Sequence, residues 1–290
     1  MSLASSELIL NKKGRIYHMD LAPEDIADTI ILVGDQDRVD LIGTYFDEVR
    51  FKVQNREFKT LTGIYKGKEL SVVSTGIGTD NVDIVLNELD ALVNIDLEKR
   101  TIKAEKKSLK FIRIGTCGAL QEDIDPGQYV ISKYAMGLDG VAHFYDLPYS
   151  EEEKEIMTSF FKKVDWKEGV NRPYIKKSSD ELFDLLQDGM QEGITITANG
   201  FYGPQGRSLR LPLGMKDFKE NIRSFSWNEV KVTNLEMETS CLYALSNALG
   251  HEAVTVCLAL ANRYNGKFLT DYSQGMKNLI QTVLDRLIKA

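Results

Sequence analysis

The sequence predicts a three-layer α/β/α fold around a central mixed, mostly parallel sheet. Three observations carry this. Short β-branched or apolar runs alternate with helix-length amphipathic stretches along the chain. The run Ala253–Ala261 (AVTVCLALA) is apolar almost throughout, as expected of a strand buried on both faces. Several runs end on glycine, as Thr29–Val33 does at Gly34 and Lys110–Ile114 at Gly115, and in such sheets ligands bind at the carboxyl ends of strands.

The elements follow in order. Thr29–Val33 reads as a strand that passes through Gly34-Asp35 into a helix at Arg38-Val-Asp-Leu-Ile. A strand, a glycine and a helix start in that order make a place for an anion. Thr60–Tyr65 and Glu69–Ser74 flank Lys66-Gly67-Lys68, a hairpin turn. Gly76-Ile-Gly78 then leads into a helix over 81–93. Residues 96–110 (DLEKRTIKAEKKSLK) read as a helix end and an exposed connection, since a dense charge run is usually a solvated face. Lys110–Ile114 is a strand, and Gln128–Ser132 another after the turn Asp125-Pro126-Gly127. Helices are expected over 150–164 and 179–192, and strands over 194–198 and 230–235. A helix over 238–249 is ended by Gly250, and one over 273–288 closes the chain. No repeat, low-complexity tract or linker interrupts this order, so residues 1–290 are expected to form one domain.

Composition narrows the function. Of 290 residues, 43% are hydrophobic and 27% charged, enough apolar material for a large core around a dry site. The net charge of −7 speaks against a nucleic-acid partner, which more often meets a basic surface. No apolar run reaches membrane-spanning length, and the first residues do not read as a signal peptide. Cys117, Cys241 and Cys257 are odd in number and have no CxxC spacing, so neither a disulfide framework nor a zinc site is expected. The expected compartment is the cytoplasm. Gly76 and Gly78 are not followed by the third glycine of a dinucleotide fingerprint, position 81 being Asn, and no GxxxxGK[ST], GxSxG or HExxH occurs.

What remains is a constellation. Gly34-Asp-Gln-Asp-Arg38, Asn55-Arg56-Glu57-Phe58 and Arg113-Ile-Gly-Thr116-Cys-Gly118 each put an arginine beside a strand end. Gathered in one place with glycine amides and a threonine hydroxyl, they suit a phosphate. Singly, each is more often a surface ion pair. Phe201-Tyr-Gly-Pro-Gln205-Gly-Arg207 offers an aromatic face, an amide and a guanidinium to a flat heterocycle, or is a plain surface loop. Asn234-Leu-Glu236-Met237-Glu238 places carboxylates at a strand-to-helix junction, where they can bind a diol or simply complement the helix dipole.

Taken together and in this order, with Ser74-Thr-Gly-Ile-Gly78, Tyr17-His18 and Asn262-Arg263, these segments resemble the nucleoside phosphorylase family from about Gly14 to the C-terminus. The resemblance implies phosphorolysis of a nucleoside without a cofactor, phosphate being the co-substrate. It implies that Gly34, Arg38, Arg113 and Thr116 hold phosphate, with Arg56 reaching in from a neighbouring subunit. His18, also from the neighbour, would meet the ribose 5′-hydroxyl. Met237 and Glu238 would grip the 2′ and 3′ hydroxyls, and Phe201 would pack on the base. Gln205 and Arg207, with Arg263 behind them, match the pair that fits uracil, and Asn262 stands where purine enzymes of the family carry an aspartate. Catalysis then rests on Arg38, Arg113, Gln205, Arg207 and Glu238. The working unit would be a homodimer or hexamer, with room for a monovalent cation beside Glu57 at the interface and no other metal. Broader or purine specificity, and a non-catalytic nucleoside-binding role, stay open at this level. The family pattern is departed from at 77–81, at the order Gly203-Pro204-Gln205, and in the long 94–110 segment.

Overall fold

The computed structural model describes residues 2–289. Strand β1 (Thr29–Val33) is buried along its whole length, and its two faces show how the layers form. Ile30 and Leu32 point into one cluster with Val82, Val85 and Leu86 of helix α2 (Thr79–Asn94) and Leu242 and Leu245 of helix α6 (Thr239–Leu249). Ile31 and Val33 point the other way, to Val39 and Ile42 of α1 (Gln36–Gly43), Leu182 and Leu186 of α4 (Asp180–Leu186), and Leu279, Ile280 and Val283 of α7 (Ser273–Leu287). The two-residue alternation of a strand thus sorts the helices onto two sides of the sheet. Each buried aliphatic side chain contributes on the order of 1.5–3 kcal/mol. The exposed ion pairs are worth roughly 0–1 kcal/mol each, so burial holds the layers together.

The chain continues from α1 into β2 (Glu48–Asn55), β3 (Phe58–Tyr65) and β4 (Lys68–Ser74). Lys66 (φ 48°) and Gly67 (φ 83°) alone make the β3–β4 turn, and Lys68 already pairs with Tyr65. After α2 come the two-residue strands β5 (Ile95–Asp96) and β6 (Thr101–Ile102), then β7 (Lys110–Ala119), β8 (Tyr129–Gly137), α3 (Glu151–Lys163) and β9 (Tyr174–Lys177). Following α4 are β10 (Gln191–Thr197), α5 (Phe218–Arg223), β11 (Ser226–Trp227), β12 (Val230–Glu236), α6, β13 (Glu252–Asn262) and α7.

Strands β4, β1, β7 and β13 run parallel side by side, as do β8, β10 and β12. The two groups join antiparallel through β13–β8, and β3 and β2 extend one edge antiparallel. The sheet is mixed, as expected. It is also not open throughout: β12 pairs back onto β7, Asn234 opposite Ala119 and Leu235 opposite Gly118. The series β7-β13-β8-β10-β12-β7 therefore closes on itself as a small barrel within the larger sheet. Nothing in the sequence pattern predicts that closure.

Three local readings need correction. Residues 96–110 contain no helix end. Helix α2 stops at Asn94, whose Oδ1 accepts from Lys107 N at 2.7 Å and whose carbonyl accepts from Lys103 N at 2.9 Å, so a β5–β6 hairpin takes over with Ile95 opposite Ile102. The helix expected over 179–192 ends at Leu186. Gly189 turns the chain at φ 71°, and Gln191 and Glu192 join β10 instead. The strand expected to stop at Ile114 runs through Gly115–Gly118 to Ala119, because β13 pairs with it along that length.

Candidate active site

The closure of β12 on β7 brings two distant segments together. With Leu235 opposite Gly118, the end of β7 (Thr116–Gly118) and the β12–α6 junction (Glu236–Glu238) become neighbours. Parallel pairing sets Leu32 of β1 opposite Arg113, so Gly34 and the start of α1 stand at the same end of the sheet. A cavity of about 320 Å³ opens there. Gly34, Arg38, Arg113, Thr116, Phe201, Gln205, Arg207, Met237 and Glu238 all line it. Residues expected for phosphate, ribose and base are thus all represented in one cavity.

Arg113 is at the bottom. Its Nη2 pairs with Glu238 Oε2, its Nη1 lies 3.6 Å from Glu236 Oε2, and its Nε, buried, has no partner. Burial pushes an arginine toward losing its proton. Here the carboxylates of Glu238 and then Glu236 more than offset it and hold Arg113 protonated above the ordinary range. Burial likewise lifts the Glu238 carboxyl above its usual range, Arg113 pulls it back, and Glu236 lifts it again. Glu238 Oε1 also accepts from Gly78 N at 2.7 Å, which ties the glycine pair before α2 to the cavity.

The two acids of the junction divide the work. Glu236 accepts from the backbone N–H groups of Glu238 (2.9 Å) and Thr239 (3.0 Å) and from Thr197 Oγ1 (2.6 Å), so it serves the start of α6. Both line the cavity, but the Glu238 carboxylate makes no bond to the start of α6 and pairs with Arg113 and Gly78 instead. Arg38 is anchored twice: Asp35 caps α1 by accepting from Arg38 N at 2.8 Å and pairs with its Nη2 at 2.8 Å. Burial nevertheless lowers the Arg38 pKa; Asp35 counters this and Arg113 adds to it. Both guanidinium groups are already paired with carboxylates, so an anion here would draw on donors they leave free, the unpartnered Arg113 Nε among them.

Gly115 has a steric task in this arrangement. A Cβ there would overlap Arg113 Nη1 and sit 2.8 Å from its Cζ. Gly115→Ala is expected to displace the guanidinium, weaken phosphate binding at least tenfold in KM and, because that guanidinium also faces Glu238 and Glu236, lower the melting temperature. A phosphate KM unchanged in that variant would show that the guanidinium does not need this space.

The base side is a short turn, Gly203–Gln205, closed by Gly206 at φ 67°. Gln205 is 3% exposed. Its Oε1 accepts from Arg207 Nη1 at 2.5 Å, and Arg207 lies over the Phe201 ring, 3.8 Å from Cζ to the centroid. Arg263 Nη2 donates to Gln205 O at 3.2 Å, while its Nη1 is buried without a partner. Among the described residues neither Arg207 nor Arg263 has a carboxylate partner. Burial, and then the neighbouring Arg263, push Arg207 down to about 10. A half-buried cation pair without a counter-ion is suited to receive negative charge from a ligand.

Not all expected residues meet in this cavity. His18, Arg56 and Arg263 are not among its lining residues; Arg263 reaches it only through Gln205, whose carbonyl it holds. Arg56 sits at the β2–β3 turn with φ 55°, its guanidinium on the Tyr17 ring (5.4 Å) and donating to Tyr17 Oη at 3.2 Å. His18 is beside it. Sequence reasoning missed Asp35, Ile77 and Phe268 as lining residues. Phe268 lies in a loop, 66% exposed, with no pattern that could have flagged it. A larger groove of about 730 Å³ lies beyond Gly203 and Pro204. It shares Arg207 but none of the phosphate or ribose residues, so size does not mark the site.

The family model of the phosphorylase superfamily matches residues 28–289. The chain belongs to the phosphorylase superfamily. Within the superfamily it is 31% identical over 270 residues to a uridine phosphorylase of Thermococcus kodakarensis, covering 91% of this chain and 83% of the relative. It is 28% identical over 273 residues to a DeoD-type purine nucleoside phosphorylase of a Thermoanaerobacter species, covering 92% and 97%. Its fold superposes with a TM-score of 0.90 on a Trypanosoma brucei nucleoside phosphorylase described as showing uridine phosphorylase activity, at 30% identity and covering 98% of this chain and all of that one. Superfamily members thus include pyrimidine and purine enzymes. Among the described residues no helix is long and apolar enough to cross a membrane, and the three cysteines are buried and free.

Proposed function

We propose that this chain is a uridine phosphorylase, a pentosyltransferase that reversibly converts uridine and phosphate to uracil and ribose 1-phosphate. The observation that carries the reading is the pairing, in one cavity, of Arg38 and Arg113 at the foot with Gln205 and Arg207 at the base end. The relatives of the superfamily support it.

In this reading Arg38, Arg113, Thr116 and the Gly34 amide hold phosphate below the sugar, and Met237 and Glu238 hold the ribose diol. As the C1′–N1 bond lengthens, positive charge grows on the sugar, as in glycoside cleavage, and phosphate faces it as nucleophile. The bond between a phosphate oxygen and C1′ forms while the N1 bond breaks, and its electron pair leaves on uracil. That charge spreads over N1, O2 and O4, where Gln205 and Arg207, backed by Arg263, are preorganised to receive it. Holding both reactants in register supplies much of the remainder. No general acid or cofactor is required.

A purine substrate fits less well. The Asn262 amide donates to Gln121 O (2.8 Å) and Ile124 O (2.9 Å), and its oxygen accepts from Tyr264 N (2.8 Å) and Asn265 N (3.0 Å). It is committed to holding the loop and offers no proton to a purine leaving group.

Because Arg56 and His18 stand outside the chain's own cavity, the reading includes a dimeric unit in which they serve a neighbour, free-standing or within a hexamer. A monovalent cation beside Glu57 and a cytoplasmic location belong to the same reading, as does the working of residues 1–290 as one domain. The test is ultraviolet-detected cleavage of uridine with and without phosphate, with inosine in parallel. Phosphate-dependent release of uracil is expected. Inosine cleavage would redirect the assignment to a purine enzyme, cleavage without phosphate to a hydrolase, and binding without cleavage to a nucleoside-binding protein.

A further inference from the structure

A glutamate in the middle of α2 is given no role by the mechanism above, yet it is the most heavily used carboxylate near the N-terminal segment. Glu88 Oε1 pairs with His18 Nδ1 at 2.6 Å and accepts from His18 N at 3.1 Å; its Oε2 accepts from Met19 N at 3.2 Å. From the other side Asn55 Nδ2 donates to the carbonyls of Tyr17 (3.2 Å) and His18 (2.8 Å). Met19 and Ile16 are buried in the core beneath. The imidazole itself is wedged edge-on between the Tyr17 and Phe58 rings, at 5.0 and 6.5 Å. A surface histidine needs none of this.

We propose that Glu88 is a positioning residue for the ribose 5′-hydroxyl, acting through His18. The inference rests on the reading that His18 meets the 5′-hydroxyl of a nucleoside bound by a neighbouring subunit. A carboxylate only accepts, so the proton of a neutral His18 must be on Nδ1. That leaves Nε2 with its lone pair, as an acceptor for a hydroxyl proton. An aligned acceptor carried on a clamped backbone loses little freedom when the sugar arrives, which is how a residue behind a ligand-binding histidine acts on it. The same clamp steadies Arg56, because Tyr17 holds its guanidinium by both ring and hydroxyl. Glu88 and Asn55 thus fix a short segment that bears on two side chains assigned to the partner's site.

The experiment compares the parent, Glu88→Ala and Glu88→Gln on uridine and on 5′-deoxyuridine, and records the His18 ring nitrogens by ¹⁵N NMR. The parent should show protonated Nδ1 and bare Nε2, and Glu88→Ala should lose that preference. Glu88→Ala should lower kcat/KM for uridine on the order of tenfold, the worth of a charge-assisted hydrogen bond, and leave 5′-deoxyuridine within about twofold. Glu88→Gln, which keeps the packing, should show a smaller loss with the same substrate dependence, and carries the test if the alanine variant does not fold. Equal losses on both substrates would make Glu88 merely structural and overturn the proposal, as would an Nε2-protonated His18 in the parent. No uridine turnover despite the expected ring signature would overturn the functional reading, and this role with it.

Discussion

Arg113→Ala should abolish phosphorolysis, with residual activity below about a thousandth, and should also destabilise the protein. The second effect follows from burial. Glu238 and Glu236 are each about 4% exposed and face the same guanidinium. Removing it leaves two acids with no cation, and breaking a buried pair in this way costs about 3–5 kcal/mol. For a chain of this size that is a fall in Tm on the order of 10 °C. Adding Glu238→Gln to Arg113→Ala should recover part of the melting temperature and none of the activity. Thermal melts and phosphate-dependent uracil release measure the two separately. An unchanged Tm would mean that the ion pair contributes nothing to the fold, and unchanged turnover would remove Arg113 from the site.

Arg207→Ala and Gln205→Ala should act differently. Both groups are aimed at charge that exists only as uracil departs, so the loss should fall on kcat for uridine, by about 10²–10³-fold, the usual cost of one such donor. The phosphate KM should hardly move, because neither residue is at the foot of the cavity. Arg207→Ala should be the more damaging, since it also removes the cation stacked on Phe201 and the partner of the Gln205 oxygen. Steady-state kinetics varying each substrate in turn distinguish the cases. Equal loss of uridine and phosphate binding would count against a base-reading role.

Much of this molecule was legible in its sequence where local rules decide. Strand β1 was bounded correctly because β-branched residues run up to a glycine and stop. Gly250 ends α6 in the left-handed conformation its lack of a side chain permits. Arg38, Arg113 and Arg207 were legible within motifs, although β7 runs on past Arg113 to Ala119 and Arg56, read in the same way, does not line the cavity. What the sequence could not show depends on contacts between distant segments. Asn94 ends α2 by binding the backbone of residues 103 and 107, and no propensity announces that. Glu88 in mid-helix looks like any solvated acid until His18 is seen against it. The separation of His18 and Arg56 from the cavity is likewise a matter of tertiary placement, although the family resemblance had assigned both to a neighbouring subunit.

The antiparallel contact between β7 and β12 has a consequence for how the protein comes into being. Arg113, Thr116 and the glycines around them are made early, and Glu236, Met237 and Glu238 much later, with barrel strands β8 and β10 encoded between and β13 after. During synthesis the first half of the site waits as an unfinished edge, its arginine without the acids that will neutralise it. Contacts of such wide sequence separation are the slow ones to form. The barrel closes only when Leu235 has paired with Gly118 and the still later β13 has inserted between β7 and β8. A nascent chain therefore holds no working half-site before its barrel closes.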